Sequence, residues 1–383
     1  MKQADKQSIL WVTWKDHKHP EAGGAEVVAR EITTRLAAEG NRVTVLTCGY
    51  EGAADDEMID GIRFLRVGRS RYLHPFQASA YYRKHLKGKY DVVIEEVQGS
   101  APYFVTFSRS DRTKYFYLYH QLGRLNWLYE VPKPFSYVGY YLLAPVATRI
   151  ASVSGAPTIT VSDSTKKVLS RYGFSQDKTH IISEGLHFEP LQSLDGVSKY
   201  GQPTVLSFGA MRAMKRTLDQ VKAFEMAKQS IPDLRMKIAG SNKGKYGHQV
   251  MEYIAHSKYS DDIEYLGKVD TETKAELMQK CHAILVTSVE EGWGLIVSEA
   301  NGQGTPAVVY DVSGLRDSVR DGETGVVVEP RPRAVAKSLA SLLYDDKLYE
   351  RLRRSAWSWS KELTFEKAFS DFTTIIRKDE VRA

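Results

Sequence analysis

Two carboxylates in a glycine-rich stretch, residues 283–309, are the residues best placed to do chemistry. Glu291 lies in a polar turn, residues 288–294, that follows an apolar run, and Glu299 lies on the segment after the turn. The pattern predicts a buried parallel strand, a tight turn and a helix. Such a turn lies at the carboxyl end of its strand, where open α/β sheets bind ligands, and the N–H groups that begin the next helix favour an anion. Carboxylates beside an anion site fit a ligand with both phosphate and hydroxyl groups, such as a nucleotide sugar.

Basic residues follow another apolar run, residues 204–208. Lys215 and Arg212 lie in this loop just before a predicted helix, where cations suit a diphosphate, although a solvated basic loop is the alternative for this segment by itself. A glycosyl transfer breaks the bond between sugar C1 and phosphate, so fixed cations would stabilise the charge that grows on the departing diphosphate. No metal is then required, and the sequence contains no Asp-x-Asp spacing. We expect no metal and no cofactor.

The first half of the chain offers two further candidates. Gly23 and Gly24 open a predicted helix between strand-like runs at 8–13 and 42–47, so either a ligand approaches the backbone closely there or the glycines merely form a tight turn. His120 directly follows a strand-like run at 114–119, the position of a site residue in an open α/β sheet. A solvated loop histidine is the alternative.

Strand-like and helical segments alternate through both halves of the chain, with a polar, aperiodic linker at 191–202 between them. The prediction is therefore an α/β protein with two Rossmann-like domains facing one another. We place the first, acceptor-side domain at 1–190 and the second, nucleotide-sugar-binding domain at 203–363. Residues 364–383 form a C-terminal helix that returns to the first domain.

Composition sets only broad limits. The 383 residues are 42% hydrophobic with a formal charge of +6, as in an ordinary soluble protein, and Cys48 and Cys281 are too few for a disulfide framework. The longest uncharged run, 134–148, is too short for a membrane span, so a cytoplasmic location is expected. The aromatic segment at 124–150 is either buried or an acceptor- or membrane-facing surface, and peripheral contact with the inner membrane face stays open.

The two-carboxylate stretch also resembles a known signature. Its order is Glu291-Gly292-Trp293-Gly294-Leu295, then Glu299-Ala300, then Gly304-Thr305-Pro306. This resembles the signature of the retaining group 1 (family four) glycosyltransferases of the GT-B fold. The resemblance extends to the Gly23 turn, the His120 turn and the loop from Gly209 to Lys215, and so covers nearly the whole chain.

The resemblance implies a hexosyltransferase that moves a sugar from a nucleotide-diphosphate sugar to an acceptor hydroxyl, with retention of configuration and without a metal. Glu299 would hold the ribose, and Glu291 the transferred sugar. Lys215 and the N–H groups of Gly294 and Leu295 would meet the diphosphate, and His120 with Gly24 would close the site from the first domain. The implied catalytic residues are His120, Lys215 and Glu291. The implied donor-binding residues are Gly23, Gly24, Gly209, Arg212, Lys215, Gly292, Trp293, Gly294, Leu295 and Glu299.

Two positions depart from the family pattern. Ala210 stands where the family usually has Arg, and Arg212 is expected to substitute for it; Trp293 stands where the family generally has Phe. Other readings are a nucleotide-sugar epimerase or phosphorylase on the same scaffold, or a noncatalytic nucleotide-sugar-binding subunit. The expected partners are the donor and a hydroxyl acceptor, either lipid-linked or a glycan, and no nucleic acid. Neither base, sugar nor acceptor can be read from the sequence.

Overall fold

The computed structural model describes residues 6–98 and 102–378, and the chain divides into two compact units. The first comprises Met1–Gly185 and Thr364–Ala383, and the second comprises Leu186–Leu363. Each contains a predominantly parallel sheet with helices, as the alternating sequence pattern predicts.

The sheet of the first unit has the strand order β3-β4-β2-β1-β5-β6-β7-β8, and β3 alone among these pairs is antiparallel to its neighbour. The central strands β1 and β5 are mostly apolar and almost entirely buried, as is typical of parallel strands that helices cover on both faces. The strands are β1 Ser8–Val12, β2 Arg42–Thr47, β3 Asp56–Ile59, β4 Ile62–Arg66, β5 Val92–Val97, β6 Lys114–Tyr119, β7 Thr158–Thr160 and β8 Thr179–Ile181.

The helices of the first unit begin at recognisable caps. Gly23 precedes the first, where the Glu26 side chain accepts the N–H of Gly23, and Ser162 caps another by accepting the N–H of Thr165. Two π-helical turns, Tyr82–Leu86 and Gly139–Leu143, continue α-helices. The helices are α1 Gly24–Ala38, α2 His74–Tyr81, α3 Asn126–Glu130, α4 Phe135–Val138, α5 Ala144–Val153 and α6 Asp163–Ser170.

The second unit has a fully parallel sheet with the order β11-β10-β9-β12-β13-β14. Its strands are β9 Thr204–Phe208, β10 Arg235–Ala239, β11 Ile263–Gly267, β12 Ala283–Val286, β13 Ala307–Tyr310 and β14 Gly325–Val328. Its helices are α7 Thr217–Lys228, α8 Lys245–Ala255, α9 Thr271–Lys280, α10 Leu295–Gly302, α11 Pro332–Tyr344 and α12 Asp346–Ser360.

The last helix, α13 Phe365–Lys378, belongs to the first unit, which confirms that the C-terminal helix returns there. Phe372 packs against the buried Trp11 with the ring centroids 5.6 Å apart, and Glu366 pairs with Arg35 of α1 at 2.8 Å. No helix in the part of the chain that the structure describes is long and apolar enough to cross a bilayer.

The predicted linker is corrected by the structure. Residues 191–202 lie inside the second unit, whose boundary precedes Leu186. The main chain there is held by α10 and α12: the Leu191 N–H donates to the Gly302 carbonyl at 2.9 Å, and Trp357 donates to the Leu191 carbonyl at 2.7 Å. The polar sequence of this segment indicated a solvent-exposed linker, but hydrogen bonds attach its backbone to the second unit.

Both sheets reverse their strand order once, between β1 and β5 in the first unit and between β9 and β12 in the second. At such a switch point the connections leave in opposite directions, and the carboxyl ends of the two strands border a crevice in which α/β proteins bind ligands. The loops after β1, β5, β9 and β12 therefore border these two crevices.

Candidate active site

In the second unit, two loops at the switch point are fastened to each other. The loop after β9 leads into α7, and the loop after β12 leads into α10. The Thr287 hydroxyl donates to the Lys215 carbonyl at 3.1 Å, and the Val289 N–H donates to the Met214 carbonyl at 2.9 Å. These bonds fix the position of one loop relative to the other.

An ion pair joins the two loops at the side-chain level. Lys215 Nζ lies 2.5 Å from Glu291 Oε1, and the buried Ser288 hydroxyl donates to the same oxygen at 2.6 Å. The Lys215 side chain remains 39% exposed and that of Glu291 16% exposed. Both groups can therefore meet a ligand, and Ser288 keeps Glu291 oriented toward Lys215.

The start of α10 is shaped by glycines. Gly294 precedes the helix with φ of 98°, a left-handed conformation. Gly314, with φ of 82°, comes so close that an added Cβ would lie 2.2 Å from the Glu291 carbonyl oxygen, and the Glu291 N–H donates to the Ser313 carbonyl at 2.9 Å. The first N–H groups of a helix have no partner within the helix, so α10 begins with donors at the carboxyl end of β12.

Glu299 lies on α10 and is buried, with only 5% of its surface exposed. Its Oε2 is 2.7 Å from Lys274 Nζ of α9, which also lies 5.3 Å from the ring centroids of Phe188 and Phe208. A buried carboxylate needs such a partner, because desolvation without pairing costs several kcal/mol.

The first unit carries a histidine–carboxylate pair beside its switch point. His120 follows β6, and its Nε2 lies 2.9 Å from Oε1 of the fully buried Glu96 on β5. The other oxygen of Glu96 accepts from the Trp11 indole N–H at 2.5 Å. Burial acts to lower the pKa of His120, but the hydrogen bond and charge of Glu96 outweigh it and leave the pKa raised.

Two more buried carboxylates surround this pair. Glu184 is 3% exposed, and burial raises its pKa to about 7, partly offset by the charge of His120. Glu26 accepts the N–H of Gly23 at 2.5 Å and lies 3.3 Å from Lys15 Nζ. The pair at His120 therefore lies in a negatively charged surrounding that favours the histidine proton.

Two family models match consecutive parts of the chain. Residues 22–189 match the model "Glycosyltransferase Family 4", and residues 195–359 match the model "Glycosyl transferases group 1". The chain is a group 1 glycosyltransferase of the GT-B fold. The second match includes both loops of the Lys215–Glu291 pair, and the first includes His120.

Curated relatives match this group 1 glycosyltransferase over nearly its whole length. A D-inositol 3-phosphate glycosyltransferase of Pseudarthrobacter chlorophenolicus is 23% identical, over 90% of each chain. An N-acetyl-alpha-D-glucosaminyl L-malate synthase of Bacillus anthracis is 22% identical, over 93% of this chain and 94% of the relative.

Solved structures show the same fold. A sucrose-phosphate synthase of Thermosynechococcus elongatus superposes with a TM-score of 0.77 at 18% identity, covering 99% of this chain and 100% of the other. HepE of Anabaena, crystallised with UDP and glucose, superposes with a TM-score of 0.72 at 15% identity, covering 97% of this chain and 100% of the other.

The structure brings together part of the predicted site of the glycosyltransferase. Lys215 contacts Glu291, and the loop of Glu291 leads through Gly292, Trp293 and Gly294 to Leu295 at the start of α10. Gly209, with φ of 130°, and Arg212, with an exposed side chain, lie on the Lys215 loop beside the exposed Ala210. Trp293 is anchored, since its indole N–H donates to the Ser298 hydroxyl at 2.9 Å.

The remaining predicted residues lie elsewhere. Glu299 is on α10 and pairs with Lys274 instead of joining the Lys215–Glu291 pair. His120 and the exposed Gly23 and Gly24 lie in the first unit, after β6 and at the start of α1. Among the described residues no group of three or more His, Cys, Asp or Glu could hold a metal ion.

Sequence reasoning missed four side chains of these clusters: Lys274, Ser288, Glu96 and Glu184. The sequence around Glu96 could have indicated a site residue. Glu95 and Glu96 are adjacent in an otherwise apolar strand, so their side chains point to opposite faces of a buried sheet, where an acid is unusual. Lys274 had none, because a lysine on a charged helix is ordinarily a solvated residue.

Proposed function

We propose that this glycosyltransferase moves a hexosyl group from a nucleotide-diphosphate sugar to an acceptor hydroxyl, with retention of anomeric configuration and without a metal ion. The observation that carries the proposal is the Lys215–Glu291 pair at the switch point of the second unit. A cation, a carboxylate and the first N–H groups of α10 occur together there. A phosphate needs the cation and the N–H donors, whereas a sugar hydroxyl needs the carboxylate.

The same chemistry suggests which residues would bind each part of the donor. The diphosphate would bind the N–H groups of Gly294 and Leu295 and the ammonium of Lys215, with Arg212 as a second cation on the same loop. Glu291 would accept hydroxyls of the transferred sugar. Glu299 would accept the ribose hydroxyls, and its 2.7 Å pairing with Lys274 supports this role because the contact holds the carboxylate in one position.

The reaction would be a same-face displacement. The bond from sugar C1 to the donor phosphate oxygen breaks as the acceptor oxygen bonds to C1 on the same face. The acceptor proton passes to the departing phosphate, so the products are a glycoside and a nucleoside diphosphate. Lys215 and the α10 N–H groups would stabilise the charge that accumulates on the leaving group, a contribution of about 3 to 4 kcal/mol for one such donor.

In the first unit, His120 is the proposed catalytic side chain. Because Nε2 of His120 is held by Glu96, Nδ1 is the ring nitrogen left to meet a substrate hydroxyl. Glu96 is thereby a positioning residue. Gly23 and Gly24 would form an exposed backbone edge beside the substrate.

The acceptor class is supported only by the relatives' names. Inositol 3-phosphate and malate both present a hydroxyl on a small anionic molecule. We propose that the acceptor is a hydroxyl compound, soluble or lipid-linked. We also propose that the donor is a nucleoside diphosphate sugar such as UDP-glucose, since a protein of this fold has been crystallised with UDP-glucose.

The test is a thermal-shift screen of UDP-, GDP- and ADP-sugars, followed by transfer assays with the stabilising donor and sugar-phosphate and hydroxy-acid acceptors. The anomeric configuration of the product, read by NMR coupling constants, should match that of the donor. An inverted product would refute retention. Activity should persist in excess EDTA, and its complete loss with recovery on adding Mg²⁺ or Mn²⁺ would refute metal independence.

The same assays separate the other readings. An epimerase would convert the nucleotide sugar to its epimer with no acceptor present, and a phosphorylase would require inorganic phosphate. A noncatalytic subunit would be stabilised by the donor and release no nucleoside diphosphate with any acceptor. Each of these results would replace the proposed transfer.

A further inference from the structure

The segment Phe135–Val153 of the first unit has its small side chains inside and its large ones outside. It is one continuous helical run: α4, the π-helical turn and α5. The buried positions are Ser136, Gly139, Ala144, Thr148 and Ala151. Successive spacings along this stripe are three, five, four and three residues, and the five-residue step coincides with the π-helical turn, whose bonds span five residues. The π turn thus keeps the small stripe against the unit.

The outer face of this run is apolar and exposed. Val153 is 80% exposed, Phe135 70% and Tyr141 68%, and Leu142, Val146 and Ile150 are also open to solvent. Single exposed apolar residues are ordinary, but a contiguous exposed apolar face on a soluble unit marks an interaction surface. We call Phe135–Val153 with its exposed side chains the apolar helix face.

The charged residues within and next to the apolar helix face in sequence are all positive. No Asp or Glu occurs from Val131 to Ser162, whereas Lys133 and Arg149 lie on or beside the helix. Arg124 donates to the Tyr140 carbonyl at 2.9 Å and stacks 3.9 Å from the Tyr140 ring, and Arg109 donates to the Ser154 carbonyl at the end of α5. Contacts within the unit therefore hold two further cations beside the same helix.

We propose that the apolar helix face binds the surface of a membrane that contains anionic lipid, lying in the plane of the interface. Apolar side chains would enter the boundary between headgroups and acyl chains, exposed tyrosines such as Tyr141 suit that depth, and the cations would meet lipid phosphates. A second copy of the chain is a poorer occupant, because a two-fold contact would set Lys133 and Arg149 against the same cations with no acid from this segment to offset them.

The experiment is flotation of the full-length protein with vesicles of phosphatidylcholine alone and of equimolar phosphatidylcholine and phosphatidylglycerol. We expect binding to the second kind and little to the first. One cation near an anionic surface changes partitioning roughly fivefold, so the variant Lys133→Glu with Arg149→Glu should lose about 25-fold or more. The matched control is Arg333→Glu with Lys337→Glu, two exposed cations on α11 of the second unit.

A second variant tests the apolar component. Leu142→Ser with Ile150→Ser removes two exposed apolar side chains and leaves every charge, and it should also reduce binding to the anionic vesicles. Circular dichroism and thermal melting of each variant verify that the fold is kept, since the changed side chains are exposed.

Three results would overturn the proposal. One is equal binding to both kinds of vesicle, or none to either. Another is a loss with the α11 control as large as with the helix variant. The third is unchanged binding of the Leu142→Ser, Ile150→Ser variant, which would leave only charge attraction. If light scattering showed a dimer that these serine substitutions dissociate, while vesicles captured no protein, the face would belong to a second copy.

Discussion

Replacing Lys215 by Ala tests the central claim about the second unit. In the structure Lys215 has one carboxylate partner, Glu291, and its ammonium is partly open to solvent. The substitution removes a cation from the start of α7 and leaves the loops' main-chain hydrogen bonds to Thr287 and Val289 in place. Catalysis and stability should therefore respond by different amounts.

The cost in stability is small. A partly exposed ion pair contributes about 0 to 1 kcal/mol to folding, because solvent and salt screen it and side-chain ordering opposes it. For a unit of this size that corresponds to a melting shift of no more than about 4 °C. Glu291 also keeps the hydroxyl of Ser288 as a donor, so the carboxylate is not left without a partner.

The cost in catalysis is much larger if Lys215 meets the leaving group. A fixed donor to charge that develops in the transition state contributes about 3 to 4 kcal/mol, or roughly 100- to 1,000-fold in kcat. Lys215→Arg keeps a cation but changes its shape and reach, so we expect an intermediate loss. Affinity for the nucleoside diphosphate product should fall as well, because that product carries the full charge.

The matched control is Lys280→Ala on α9. Lys280 pairs with Glu276 at 2.6 Å and is 44% exposed, so it resembles Lys215 in pairing and exposure. Transfer rates with a saturating donor and calorimetric titration of the nucleoside diphosphate should be unchanged in this control. If Lys215→Ala kept its turnover within about threefold of the parent, the assignment of Lys215 to the leaving group would be refuted.

Three other substitutions have expected outcomes. Glu299→Gln leaves Lys274 without its carboxylate, so nucleoside diphosphate affinity should fall about tenfold or more by calorimetry; unchanged affinity would exclude Glu299 from the nucleotide site. Gly314→Ala places a methyl against the Glu291 carbonyl and strains a positive φ, so the free energy of unfolding in denaturant should fall by about 1 to 3 kcal/mol; a stable, active variant would contradict that packing. Burial raises the pKa of Glu184 from 4.5 to about 7, so the stability gained from its protonated form is full below pH 4.5 and lost as the pH rises through about 7. That loss is about 3 kcal/mol, so Glu184→Gln should flatten the fall in melting temperature over this range, and an equally steep fall would disprove the assignment.

The strand, turn and helix around Glu291 were predictable because their signals are local. The buried strand β12, the left-handed Gly294 and the start of α10 at Leu295 follow from apolar runs and glycines that are adjacent in sequence. The pairing of Glu299 with Lys274 was not predictable, because it forms only when α9 and α10 pack together.

Other elements were missed for identifiable reasons. The edge strand β3 reads as polar surface, since its Asp56 and Glu57 are matched by arginines of β4 instead of apolar packing. Helix α12 could have been predicted from its sequence. Asp345 is a typical N-cap residue and accepts the N–H of Leu348, and the buried Leu352 and Ala356 follow at helical spacing. Residues 314–319 form turns around Gly314 that pack against the backbone of Glu291, a contact between segments that no local pattern encodes.

The two switch points differ in charge, and this difference bears on the division of labour between the units. Around His120 the first unit buries the carboxylates of Glu26, Glu96 and Glu184. His120 and Lys15 each pair with one of these carboxylates, so a diphosphate placed there would have to compete with a carboxylate for each of these partners. The second unit offers a partly exposed lysine and the first N–H groups of α10 at its switch point. Under the proposed function, this difference favours the second unit for the phosphates of the donor, and the first for groups that donate hydrogen bonds, such as hydroxyls.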